Sequence, residues 1–106
     1  MDAYLTLGPS GAEPFYAYVE AEGLEVGTFV HSSFDISASG VKAIKDGVTS
    51  FVMDAQPYLI GYGTVMNLVL FNRYNITPAT GISATGPGFV DKTNVEIVEK
   101  LAGTYR

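Results

Sequence analysis

Apolar and polar residues follow two rhythms along the chain: short continuous runs, and longer runs with helical spacing. Residues 3–7 form a short apolar run that stops at Gly8-Pro9, and Ser10-Gly11-Ala12-Glu13 has the form of a capping box ahead of Phe15 and Val19. The pattern predicts a strand, a turn and a helix, with Pro14 in the helix's first turn, where amide donors lack intrahelical partners. Gly23 ends that helix, residues 26–31 predict a second strand, and Ser32-Ser33-Phe34-Asp35 reads as a polar turn. Ser37 or Ser39 can cap a short helix whose apolar face is Val41 and Ile44, Asp46-Gly47 closes it, and residues 48–53 predict a third strand.

Strands alternating with helices across short polar turns predict βαβ units, a parallel sheet and right-handed crossovers. Ligands of such sheets sit at the carboxyl ends of the strands. Here those ends are Gly8-Pro9-Ser10, Ser33-Phe34-Asp35 and Asp54-Ala55-Gln56, so the expected site lies along one edge. The next helix, residues 57–74, carries Leu59, Tyr62, Val65, Leu68 and Phe71 on nearly every side of its wheel. A helix apolar all round is buried all round, which predicts a second surface packed against it, either another lobe or another copy of the chain. After Tyr74 the sequence ITPATGISATGPGFVDKTNV is irregular and long for a connection, and reads as a crossing segment before a short helix over residues 94–101.

Length and charge narrow the function. The chain has 106 residues, enough for one modest core. Six Lys and Arg against eleven Asp and Glu leave a net charge of −5 with no basic block, which excludes an electrostatic grip on nucleic acid. The absence of cysteine removes thiolate catalysis, disulfides and Cys-type zinc sites. The start MDAYLTLGPS lacks a signal-peptide pattern, and no run reaches the roughly 20 apolar residues that span a bilayer.

Asp35 and Asp54 end apolar runs, and ionised carboxylates there are strong acceptors for ligand hydroxyls; a cap or turn role is the simpler alternative. The same pair could serve acid and base work as in glycosidases, but nothing supplies a proton relay, and the chain is read as a binding protein rather than an enzyme. His31 stands alone without a Gly-x-Ser-x-Gly elbow, and no convergent metal-ligand set accompanies it. No cofactor is expected, because Gly8-Pro9-Ser10-Gly11 lacks the full phosphate-loop pattern. Tyr16, Tyr18, Tyr58 and Tyr62 are candidates for a sugar-stacking face or for core packing.

Five segments, DAYLTLGPSGAEP, SSFDIS, AIKDG, FVMDAQPYLIGY and TGPGFVDKTNV, in this order and spacing, resemble the C-terminal part of bacterial periplasmic sugar-binding proteins of ABC transporters, the type related to ribose-binding protein. The resemblance covers nearly the whole chain. It implies a partial Rossmann-like (flavodoxin-like) α/β sheet of about three βα units. Residues 1–75 would be the second half of the C-terminal lobe, and residues 76–106 a hinge-crossing and terminal segment returning toward a first lobe. It also implies a sugar ligand, an ABC permease as partner and a periplasmic location for the full-length protein.

By the same resemblance Asp35 matches the family's strand-end aspartate that bonds sugar hydroxyls, and Pro9 and Ser10 stand where relatives often have asparagine. Relatives often read DQQPYLQGY where this chain reads DAQPYLIGY, so Ala55 replaces the first glutamine and Gln56 is the second. A fragment of this kind is expected to bind sugar weakly or not at all by itself, and to form a homodimer or larger assembly through its apolar helix. The alternatives are the effector-binding core of a transcription repressor, which shares this fold, and a self-associating structural half-domain.

Overall fold

A computed structural model describes residues 3–106; Met1 and Asp2, with which the N-terminal reading begins, lie outside the described residues. The elements run β1 (Ala3–Thr6), α1 (Pro9–Ala21), β2 (Val30–Phe34), α2 (Ala38–Asp46), β3 (Phe51–Asp54), α3 (Pro57–Tyr74), β4 (Gly88–Asp91) and α4 (Val95–Val98). The sheet order is β1-β2-β3-β4; the first three strands are parallel and β4 pairs antiparallel with β3. This is the expected α/β architecture, a partial Rossmann-like sheet. The strand order steps one way and α1 packs beside α2, so both lie on the same face, as crossovers of the usual right hand require.

Alternation along the strands sorts their side chains between two unlike faces. His31, Ser33, Val52, Asp54 and Val90 point to the helix-covered face and are buried. The core there joins Ile36, Val41, Ile44, Val52, Val90, Val95 and Val98, and Lys45 bonds Glu99 at 2.6 Å to tie α2 to α4. The opposite face carries Leu5, Val30, Phe34 and Phe89, all exposed.

Several local readings shift. The capping box does not form: α1 starts at Pro9 behind Gly8, whose φ of 79° opens the turn, and no side chain caps it. Pro14 therefore sits in the helix interior and removes one intrahelical bond. Strand β2 begins four residues later than expected, because Gly27 (φ 98°) and the Thr28 N–H to Glu25 carbonyl bond turn the chain first. The supposed polar turn Ser32-Ser33-Phe34 is strand. Ser37 is the cap of α2, accepting from the Gly40 amide at 3.0 Å, and Gly47 closes the helix in the left-handed region. Strand β4 lies within the stretch that reads as an irregular crossing segment.

Helix α3 spans the expected residues, yet none of them is buried. It leaves the sheet edge as an arm. The segment that returns from its far end runs back beside it, Asn67 donating to Ser83 Oγ at 3.0 Å. The molecule is accordingly long, 58 × 27 × 23 Å, with a radius of gyration of 16.9 Å. A compact chain of this length would measure about 13 Å. Residue 75, the expected boundary, lies at the arm's far end, whereas residues 88–98 pack on the sheet with residues 3–54.

His31 is a core residue. Its ring stacks on Phe15 at 4.2 Å, Nδ1 meets Thr49 Oγ1 at 2.8 Å and Nε2 meets Thr6 Oγ1 at 3.0 Å. Burial disfavours the imidazolium and lowers its pKa below the usual 6.5. The unfolded chain then binds a proton that the folded chain does not, so stability is lost as pH falls below about 6.5 toward the folded-state value. The urea midpoint should decline over that window, and His31→Gln should flatten the decline. An unchanged slope in the variant would refute the assignment.

Candidate functional site at the strand-end edge

The carboxyl ends of β1, β2 and β3 share one edge, as the parallel pairing requires, and the start of the antiparallel β4 joins them. Pro9 and Ser10 form the first turn of α1 there, with Ser10 exposed. Asp35 follows β2, in the left-handed region at φ 53°, its amide bonded to the Met53 carbonyl at 2.8 Å. Asp35 Oδ1 is buried and has no hydrogen-bond partner, alone among the side-chain oxygens and nitrogens of the described residues. A strained residue with an orphaned acceptor at a strand end is where function is expected to have been bought with stability.

Asp54 is placed differently. Its side chain is 0% exposed; Oδ1 accepts the Gln56 amide at 2.8 Å and Oδ2 accepts Arg106 Nε at 2.8 Å. Both oxygens are thus engaged within the chain. Gln56 takes a left-handed conformation (φ 57°), and its Nε2 donates to the Thr85 carbonyl at 2.6 Å. Thr85 Oγ1 in turn donates to the Ala55 carbonyl at 3.0 Å. These two bonds lash together the segments that enter and leave the arm. Gly86 permits that approach, since a Cβ there would lie 2.9 Å from the Asp54 carbonyl oxygen.

A cavity of about 300 Å³ opens beside this lashing, lined by Phe34, Met53, Ala55, Thr85, Gly86 and Pro87 among others. Ala55 is therefore at the wall, and its methyl offers no hydrogen bond. Phe34, Thr85 and Arg106 are site residues that the sequence pattern does not single out: Phe34 falls in a stretch that reads as a turn, and the other two are distant in sequence. The four candidate tyrosines do not converge. Tyr16 packs edge-on to His31 and accepts from Thr49, Tyr18 is exposed on α1, and Tyr58 and Tyr62 ride on the arm.

The fold has a solved counterpart. The crystal structure of a carbohydrate transporter from Acidothermus cellulolyticus 11B, in complex with myo-inositol, matches with a TM-score of 0.83 and 33% sequence identity. The chain resembles one part of a sugar-transport protein. The match covers 96% of this chain and 35% of the transporter, so the chain spans about a third of the length of its relative. No protein-family model matches the chain, and no curated protein does. The likeness to a sugar-transport protein agrees with the parallel strand ends, and extends over the sheet, the arm and the return strand alike.

Proposed function

We propose that this chain is part of the solute-binding component of an ABC transporter, outside the cytoplasm, and that its strand-end edge forms one wall of a cleft for a sugar or cyclic polyol. The observation that carries the reading is the buried, unpartnered Oδ1 of Asp35 at the carboxyl end of a parallel strand. A carboxylate so placed accepts from a hydroxyl, and a ring of hydroxyls like that of myo-inositol offers several. Phe34, exposed next to it in the chain, supplies an aromatic face to the apolar side of such a ring.

In the complete protein the lashed segments at residues 54–56 and 85–88 are the crossing between lobes, and the arm enters the opposing lobe. The arm's apolar surface supports this, because none of its residues is buried within the chain itself. Closure of two lobes about the crossing would enclose the ligand, driven by its higher affinity for the closed state, and present it to a permease. Ala55 gives the wall a methyl where the family resemblance implies a glutamine, one hydrogen-bonding group fewer, while Gln56 holds the crossing.

The test is a chimera in which this chain replaces the matching third of the Acidothermus protein. Calorimetric titration with myo-inositol, pentoses and hexoses should give saturable heat for at least one of them, and the 106-residue chain alone should give little or none. A chimera that folds, by circular dichroism and a cooperative melt, but binds none of these would overturn the proposal.

A further inference from the structure

The cavity at the strand-end edge differs in chemistry from the carboxylate beside it. Its walls come from three places that the fold brings together: Phe34 at the end of β2, Met53 and Ala55 at the end of β3, and the segment before β4, with Ala84 and Pro87. None of the lining residues carries a charge. The two hydroxyls among them are already bonded within the chain, Thr85 Oγ1 donating to the Ala55 carbonyl at 3.0 Å and Ser83 Oγ accepting from the Asn67 side-chain amide at 3.0 Å. The Thr85 carbonyl is taken by Gln56. What the wall presents is methyl, thioether and ring carbon.

Asp35 follows Phe34 directly, about 3.8 Å on along the backbone, and its amide is bonded to the carbonyl of Met53, which lines the cavity. A ligand hydroxyl on Asp35 Oδ1 therefore sets the adjacent part of the same molecule against this wall. A second hydroxyl carried there gives up water without gaining a free side-chain partner, whereas a methyl gains contact and forfeits nothing. We infer that the ligand is a deoxy or methyl-bearing sugar or polyol, with a hydroxyl on Asp35 and a carbon edge in the cavity formed by Phe34, Met53, Ala55 and Pro87. The inference rests on the sugar-cleft reading and narrows it. Ala55 is its specificity-determining residue, because a polar side chain at that point of the wall would give a hydroxyl the partner it lacks.

The test uses the same chimera and pairs of sugars that differ by one oxygen: D-fucose against D-galactose, L-rhamnose against L-mannose, and 6-deoxy-D-glucose against D-glucose. Apolar pockets reject an added hydroxyl by about 10- to 100-fold rather than absolutely. In at least one pair the deoxy member should bind tighter by that factor in calorimetric titration. Ala55→Ser adds a single oxygen to the wall, and in that variant the preference should shrink to about 3-fold or less, mainly through tighter binding of the parent sugar.

Equal affinity within every pair, or tighter binding of the parent sugars, would overturn the inference and leave the sugar-cleft reading standing; another part of the complete protein would then fill the cavity. An Ala55→Ser chimera that folds and keeps the full preference would overturn it as well. A folded chimera that binds none of the sugars would overturn the reading on which the inference rests, and the inference with it. The pairwise comparison on the unsubstituted chimera decides the matter even where the variant fails to fold.

Discussion

Asp54→Ala is expected to lower folding stability by about 2–3 kcal/mol, the scale of lost hydrogen bonds to a charged group whose guanidinium partner keeps 29% of its side-chain surface in water. The carboxylate is fully buried and does two jobs: it holds the amide of Gln56 at the entrance to α3, and it receives Arg106 from the end of the chain. Its loss leaves a partly buried guanidinium without its acceptor and the crossing without its bracket. Asp54→Asn should cost less, because the side-chain carbonyl can still accept from Gln56. Urea denaturation at fixed protein concentration reads both, with the midpoint moving and the slope unchanged. If Asp54→Ala stays within about 0.5 kcal/mol of the parent, as ordinary surface changes do, Asp54 is not a structural clamp.

Asp35→Gly should move stability the other way while destroying the site. Glycine removes the strain of a left-handed backbone and the penalty of a buried acceptor with no donor, for a gain of about 1 kcal/mol after its greater chain entropy is subtracted. In the chimera the same substitution should weaken polyol binding about 10- to 100-fold, the equivalent of one lost hydrogen bond to a charged group. The stability gain and the affinity loss are measured on the same preparations, by melting and by calorimetry. A destabilised Asp35→Gly would mean that the carboxylate serves the fold rather than a ligand.

The two aspartates show where sequence reading stops. Both end an apolar run and both precede a helix, so the sequence offers the same two roles to each, ligand acceptor or turn. What separates them is Arg106, 52 positions from Asp54, folded back onto one carboxylate and not the other. Likewise Ala55 and Gln56 are legible as strand-end residues, but the lashing of Gln56 to Thr85 depends on a returning segment 29 residues later. Local pattern carries no information about which distant segment arrives beside it.

Errors of element placement have a similar origin. The residues before β2 are rich in β-formers, and a single glycine turn displaced the strand by four positions. Strand β4 lacks strong alternation and exists because β3 offers it an open edge.

The sequence by itself determined the alternation of strands and helices, the parallel core of the sheet, the chemically mixed edge at its strand ends, and the limits of α3 together with its uniform apolarity. These follow from backbone sterics and side-chain period, which act over a few residues. The tertiary structure decided that α3 stands off as an arm, that one sheet face is left open, and that Asp35 keeps a free acceptor while Asp54 is locked by Arg106. Those outcomes depend on which surfaces meet, and burial and pairing are fixed only once distant parts of the chain are brought together.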